Sequence, residues 1–145
     1  MFPTDCTSIG TKVAYLSKVL IPARRFDDYV ALMGEILDEN VRYVDAVHEL
    51  TNKNDVLKML AAYVPRVSND KFTFDLVHDG PRDVVWRWTI GLTILKKYEF
   101  VIHGLVHAQV ENGRIVYQRE YYDPMESIEV IPIVGRLYKQ MLKRA

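Results

Sequence analysis

Residues 99–126 read EFVIHGLVHAQVENGRIVYQREYYDPME. Apolar and polar residues alternate on both sides of Asn112-Gly113, a dipeptide suited to the backbone twist of a tight hairpin. The arms are long, so their pairing sets the course of a whole sheet. The second arm runs into Asp123-Pro124-Met125-Glu126. Asp suits an N-cap, Pro the first helical position, and Glu three residues after the cap can close a capping box. The chain is expected to turn from sheet to helix at Asp123, and capping accounts for that residue.

Upstream, Thr7 or Ser8 can cap a first helix with Val13, Leu16, Val19 and Leu20 at helical spacing, ended by Pro22. A second helix begins at Arg24-Arg25-Phe26-Asp27-Asp28 and closes at Leu37-Asp38-Glu39-Asn40. Val41 to Val47 alternates as a short strand that carries Asp45. A polar loop at 51–54 precedes a third helix, which stops at Pro65. Strands are then expected over 71–78 and 84–95, with turns at 79–83 and 96–98. The tail from Pro124 to Arg144 reads as helix, broken in two by Pro132 and Gly135. This order predicts an α+β fold: a curved antiparallel sheet wrapped around N-terminal helices into a cone with a pocket inside, plus an extra C-terminal helix. One domain is expected, with the cone over 1–123 and the helical tail over 124–145.

Composition excludes several functions. Nineteen basic and nineteen acidic residues cancel, which argues against a nucleic-acid surface. The single Cys6 rules out an internal disulfide framework and any multi-cysteine metal site. No apolar run approaches the ~20 residues of a membrane span. The start MFPTDCTS lacks a basic n-region, so a cytoplasmic location is expected.

Several segments together resemble a known family. These are VRYVDAV after a helix, then VVWRW, then IHGLVHAQVENGRIVYQREYYDP. The chain resembles the nuclear transport factor 2-like superfamily, and most closely its SnoaL-like branch. The resemblance is carried by Asp45-Ala46, Gly104-Leu105-Val106-His107, Gly113-Arg114-Ile115 and Arg119-Glu120-Tyr121-Tyr122-Asp123. Ala46 stands where that branch has Pro, Glu120 where it has Asp, and Gln118 where many members have His. The resemblance implies an apolar pocket for a small hydrophobic molecule. It also implies cofactor-independent proton transfer of isomerase, cyclase or epoxide hydrolase type, and a homodimer paired through the sheet face.

Two carboxylates are the catalytic candidates. Asp45 falls where isomerase-like members keep a proton-transferring Asp, and Glu120 where epoxide hydrolase-like members place an acid. An acid that points into an apolar cone has its pKa raised by desolvation, which makes it a better base near neutrality. Glu120 shares a strand face with Gln118 and Tyr122. Trp86 and Trp88 share another inward face by parity, with Arg87 and Arg119 expected outside. Tyr15 on the first helix could reach the pocket, as a phenol does in isomerase-like members. His48 reads as a loop residue. His103 and His107 lie ~13 Å apart on a strand, too far for one ion, so no metal site is expected from them.

One residue of turn length decides the pocket's character. If only Asn112-Gly113 forms the loop, His103, Leu105 and His107 share a face with Gln118, Glu120 and Tyr122. If the loop is Glu111-Asn112-Gly113 with a bulge at Gly113, the register slips by one and Ile102, Gly104, Val106 and Ala108 take that face. The first register brings His103 to the ligand and the second brings Val106. Asn-Gly chemistry favours the first, and the family's hairpin pattern the second, which is adopted here. The tail's apolar side (Ile133, Val134, Leu137, Tyr138, Met141) is expected to pack on the domain or a partner copy, with a membrane surface as the alternative. Three functional classes remain from sequence: a small enzyme, a non-catalytic ligand-binding module, and a dimerisation module.

Overall fold

The computed structural model describes residues 1–144. Helix α1 (Ile9–Tyr15) starts at Ser8, whose hydroxyl accepts from the Thr11 amide while the Thr11 hydroxyl answers the Ser8 amide. Of the two expected cap residues Ser8 is the one used, and with Thr11 it forms a capping box. Asp79 adds a long-range cap, accepting from the Ser8 hydroxyl at 2.5 Å and from the Gly10 amide at 3.1 Å. Gly10 is needed there, because a Cβ would lie 2.3 Å from the Asp79 carboxyl carbon. Asp79→Ala is expected to cost about 1 kcal/mol of stability, the usual worth of a helix cap. Urea unfolding of the variant checks this.

α1 continues into a π-type turn at Leu16–Leu20, and α2 (Phe26–Ile36) follows. Between them Arg24 takes a left-handed backbone (φ 59°) and donates to the Pro65 and Val67 carbonyls at 2.9 Å each. α2 passes directly into β1 (Leu37–Val44). The strand therefore starts four residues earlier than expected and ends before Asp45. β2 (Glu49–Leu50) forms a short edge, and α3 (Lys53–Tyr63) is capped by Asn52. Four long strands follow: β3 (Ser68–Asp79), β4 (Asp83–Ile94), β5 (Tyr98–Glu111) and β6 (Arg114–Tyr122).

The six strands form one sheet in the order β2-β1-β6-β5-β4-β3. It is a mixed sheet, because β1 runs parallel to β6 while the other pairs are antiparallel. The connection from β1 to its parallel partner β6 runs through β2, α3 and the strands β3 to β5, a long crossover that a sheet of local hairpins would not need. α1, α2 and α3 pack on the concave face, so the α+β cone is present. Its core joins Leu16, Leu20, Ile36, Leu37, Val41 and Val56 to Val84, Val106, Ala108 and Ile115 of the sheet. That core fills one half of the concave face and leaves the other half open.

The tail departs from expectation in three ways. Pro124 rather than Asp123 holds the N-cap position of the helix that follows, although Asp123 does accept from the Met125 amide at 2.9 Å. Glu126 does not close a capping box; its carboxylate takes the His103 amide at 3.3 Å and ring Nδ1 at 2.8 Å on β5. A cross-sheet partner with two donors outcompetes the single local amide. α4 (Met125–Ile128) is short, and α5 (Pro132–Arg144) begins at Pro132 as expected. Gly135 lies inside α5 and breaks nothing. It is buried because a Cβ there would meet the Glu129 carbonyl oxygen at 2.3 Å.

Candidate functional site

The open half of the concave face holds a cavity of about 540 Å³. Its wall is apolar and aromatic: Phe72 and Phe74 of β3, Trp86, Trp88 and Ile90 of β4, and Ile102 of β5. Met33 of α2 and Met59 and Leu60 of α3 close the opposite side. Tyr43, Asp45, His48, Gln118, Glu120 and Tyr122 form a polar cluster at one end, and Ser17, Arg66, Ser68 and Thr93 also line the cavity. A shallower depression of about 420 Å³ abuts that end and shares Asp45, Glu120 and Tyr122.

The hairpin register builds this partition. At the turn, Asn112 (φ 51°) and Gly113 (φ 71°) are both left-handed, and Glu111 pairs with Arg114. The loop is therefore the two-residue one that Asn-Gly favours. The register then slips between Val110↔Ile115 and Gln109↔Tyr117, leaving Val116 as the extra residue. Beyond this bulge Ala108 pairs with Gln118, Val106 with Glu120 and Gly104 with Tyr122. Turn chemistry follows the first alternative and the strand faces follow the second. The bulge lets Ile115 and Gln118 both turn inward although they differ in parity.

Glu120 is a carboxyl strongly altered by its surroundings. Burial pushes its carboxyl up to about 7. The neighbouring charge of Asp45 adds to the rise, while hydrogen bonds from Tyr43 and Gln118 oppose it. Gln118 donates from Nε2 to the Glu120 Oε1 at 3.2 Å. Its own Oε1 is buried and, among the described residues, without a hydrogen-bond partner. The amide can donate to an ionised Glu120 or, turned over, accept from a protonated one. Burial also raises the Tyr43 hydroxyl, with the charges of Glu120 and Asp45 adding to it. Tyr122 is pushed up to about 12 by the same combination. Both phenols are therefore held as neutral donors.

Asp45 is differently placed. It follows β1, in a turn rather than on a strand. Its carboxylate accepts from the Val47 amide at 2.8 Å, the His48 amide at 2.7 Å, the His48 Nδ1 at 3.0 Å and the Tyr43 hydroxyl at 3.0 Å. The side chain is 5% exposed. These donors compensate its burial and fix the phenol of Tyr43 beside Glu120.

A family model, the SnoaL-like domain, matches residues 24–118. The chain belongs to the SnoaL-like family. The matched span takes in Asp45 and Gln118 and stops two residues short of Glu120. A comparison with curated proteins gives no match. Among solved structures, a LEH-like epoxide hydrolase of M. tuberculosis superposes with a TM-score of 0.57 at 14% identity, over 93% of this chain and 98% of its own. An NTF2-like protein of unknown function from Burkholderia pseudomallei gives 0.62 at 18% identity, over 83% and 95%. A protein with a ketosteroid isomerase-like fold from Catenulispora acidiphila, in complex with trimethylamine, gives 0.57 at 13%, over 93% and 95%. At these identities the likeness concerns the fold.

In this SnoaL-like chain, Asp45, Glu120, Trp86, Trp88, Gln118 and Tyr122 all line the cavity. Three other candidates stand elsewhere. Tyr15 packs edge-on against Phe2 at 6.1 Å, on the side of α1 away from the cavity. Val106 is fully buried in the core and does not line the cavity. His103 faces out, its side chain 67% exposed, and pairs with Glu126. His107 likewise pairs with Asp83 at 2.6 Å, outside the cavity. Among the described residues, no three of His, Cys, Asp and Glu come together in metal-binding geometry. The reading from sequence missed Tyr43, Tyr29 and Tyr63 and placed His48 in a loop. Tyr43 had a signal, since it alternates with the buried Val41 and stands two residues before Asp45. His48 reaches the cavity only because the Asp45 turn folds it back.

Proposed function

We propose that this SnoaL-like protein holds a small apolar molecule with one polar end, and that Glu120 exchanges a proton with that end. One observation carries the reading. A carboxyl with a pKa raised to about 7 stands in the polar cluster of a cavity whose wall is mainly apolar and aromatic. Such a group can take and return a proton near neutral pH. Isomerisation, cyclisation and epoxide hydration are reaction classes that one such group serves. In this reading Tyr122 donates a hydrogen bond to the polar end of the molecule and the open Gln118 oxygen accepts one, while Tyr43 keeps its proton on Asp45. Asp45 acts as a positioning residue, because its oxygens already serve four donors. That saturation also favours the second reading, a ligand-binding module without turnover, since it leaves one free carboxyl rather than two. Two copies would pair through the outer sheet face, where Leu105 and Tyr121 lie opposite each other and exposed.

Both tryptophans of the chain line the cavity, so intrinsic fluorescence reports its occupancy. The test starts with extraction of the purified protein and identification of any bound compound by mass spectrometry. Titration with that compound is expected to change tryptophan emission saturably. Ile90→Trp fills the wall and is expected to weaken binding roughly tenfold or more. Glu120→Gln is expected to flatten the pH dependence around 7. Emission that never saturates, or binding indifferent to both substitutions, would refute the cavity reading.

A further inference from the structure

We propose that α5 is a peripheral membrane helix, which lays its apolar side into the interface of an anionic bilayer and carries the cavity to that surface. The expected packing of this side on the domain does not occur. Ile133 is 74% exposed, Leu137 57%, Met141 71% and Leu142 56%. With Val134 they recur at the spacing that makes one continuous stripe along the helix. Arg136, Lys139 and Lys143 fall on the opposite side, with Arg144 at the end of the helix. Residues 130–144 contain no acid, in a chain whose formal charge is zero. Four cations are therefore concentrated on an element whose apolar side is uncovered, one of them, Lys139, lying 3.8 Å from Glu129.

The charges decide between occupants. A second α5 brought against the stripe would place four further cations beside these four, with no acid on either helix. Its length is also against it: 13 residues rise about 20 Å, and one helix face of that length falls well short of the roughly 800 Å² per partner of a stable interface. An anionic lipid surface meets both features at once, with headgroups for the cations and an acyl boundary for the stripe. Among the described residues no helix is long and apolar enough to cross a membrane, so the contact is one of lying on the surface. The α4–α5 corner holds the helix at a set angle, because Gly135 sits directly on the Glu129 carbonyl.

The test is sedimentation of the full chain with vesicles of phosphatidylcholine, with and without phosphatidylglycerol. Binding is expected only to the anionic vesicles and is expected to fall as salt is raised, since each surface cation is worth about fivefold in partitioning. Arg136→Glu with Lys139→Glu is expected to weaken it by roughly an order of magnitude or more. Leu137→Asp with Met141→Asp is expected to abolish it while leaving the unfolding curve and the tryptophan emission unchanged. A wild-type chain that stays in the supernatant with both vesicle types would overturn the proposal. So would a wild-type oligomer that the Leu137→Asp/Met141→Asp variant disperses, since a second copy would then cover the stripe.

Discussion

Glu120→Gln is expected to make the protein more stable at pH 8 while removing its pH-dependent ligand step. The sign follows from the raised carboxyl, about 7 in the fold against an ordinary 4.5. Below 4.5 the carboxyl is protonated both folded and unfolded, and the fold keeps its full stability. Between 4.5 and 7 the unfolded chain ionises while the folded one resists, so stability falls. Above 7 both are ionised and the loss is complete, on the order of 3 kcal/mol. Glutamine has the shape of the protonated acid and no proton to lose. It also keeps partners for Gln118 and Tyr43. The variant's thermal midpoint at pH 8 should therefore exceed the wild type's by several degrees, at about 2–4 °C per kcal/mol, with little difference at pH 4. A wild-type stability curve with no fall between pH 4.5 and 7 relative to Glu120→Gln would show that Glu120 is not desolvated.

Gly104→Ala should disrupt the cavity from the opposite side of the sheet chemistry, through packing alone. Gly104 pairs with Trp88 on one flank and Tyr122 on the other. The indole lies over the bare backbone, so that an added Cβ would sit 2.3 Å from Cζ2 and 2.4 Å from Cε2. Trp88 cannot yield freely, because its ring also packs against Tyr122 at 5.9 Å. Alanine must push the indole off its position beside the cavity. The expected cost is about 1–3 kcal/mol, the range for overpacking a filled site, with a shift in tryptophan emission and loss of ligand binding. Trp88→Leu makes room for the methyl group, so the double variant should be more stable than the two single effects added. A coupling of roughly 0.5–3 kcal/mol is expected in that cycle. Strict additivity would mean that the two residues do not contact each other as described.

The helix caps and the hairpin show what local chemistry settles. Ser8 caps α1, Asn52 caps α3, Asp123 takes the Met125 amide, and Asn112-Gly113 makes a two-residue turn. Each is a contest among groups a few residues apart, which the chain decides wherever it lies in the fold. The family, too, was legible, because its residues recur in order along most of the chain. Glu126 marks the limit of such reasoning. Its local partner was available, and a two-donor site on β5 took it instead.

The site itself was partly legible. Parity along β4 and β6 placed Trp86, Trp88, Gln118, Glu120 and Tyr122 on inward faces, since alternation is a property of the strand. Which inward residues meet a cavity and which meet a helix is not a property of the strand. Val106 and Glu120 are cross-strand partners; one is buried in the core and the other lines the cavity. Tyr15 was misplaced for the same reason, as nothing in a helix's own pattern says which neighbour lies over each position. The bulge at Val116 carries no mark in local sequence, because a slip of register is decided by how the whole hairpin packs. The sequence by itself determined the elements, their caps, the turn and the alternation of faces, all set by contacts within a few residues. Only the tertiary structure decided the slip that turned His103 and His107 outward, the half of the cone left unfilled, and the desolvation of Glu120. Those depend on which segments distant in sequence come to cover one another.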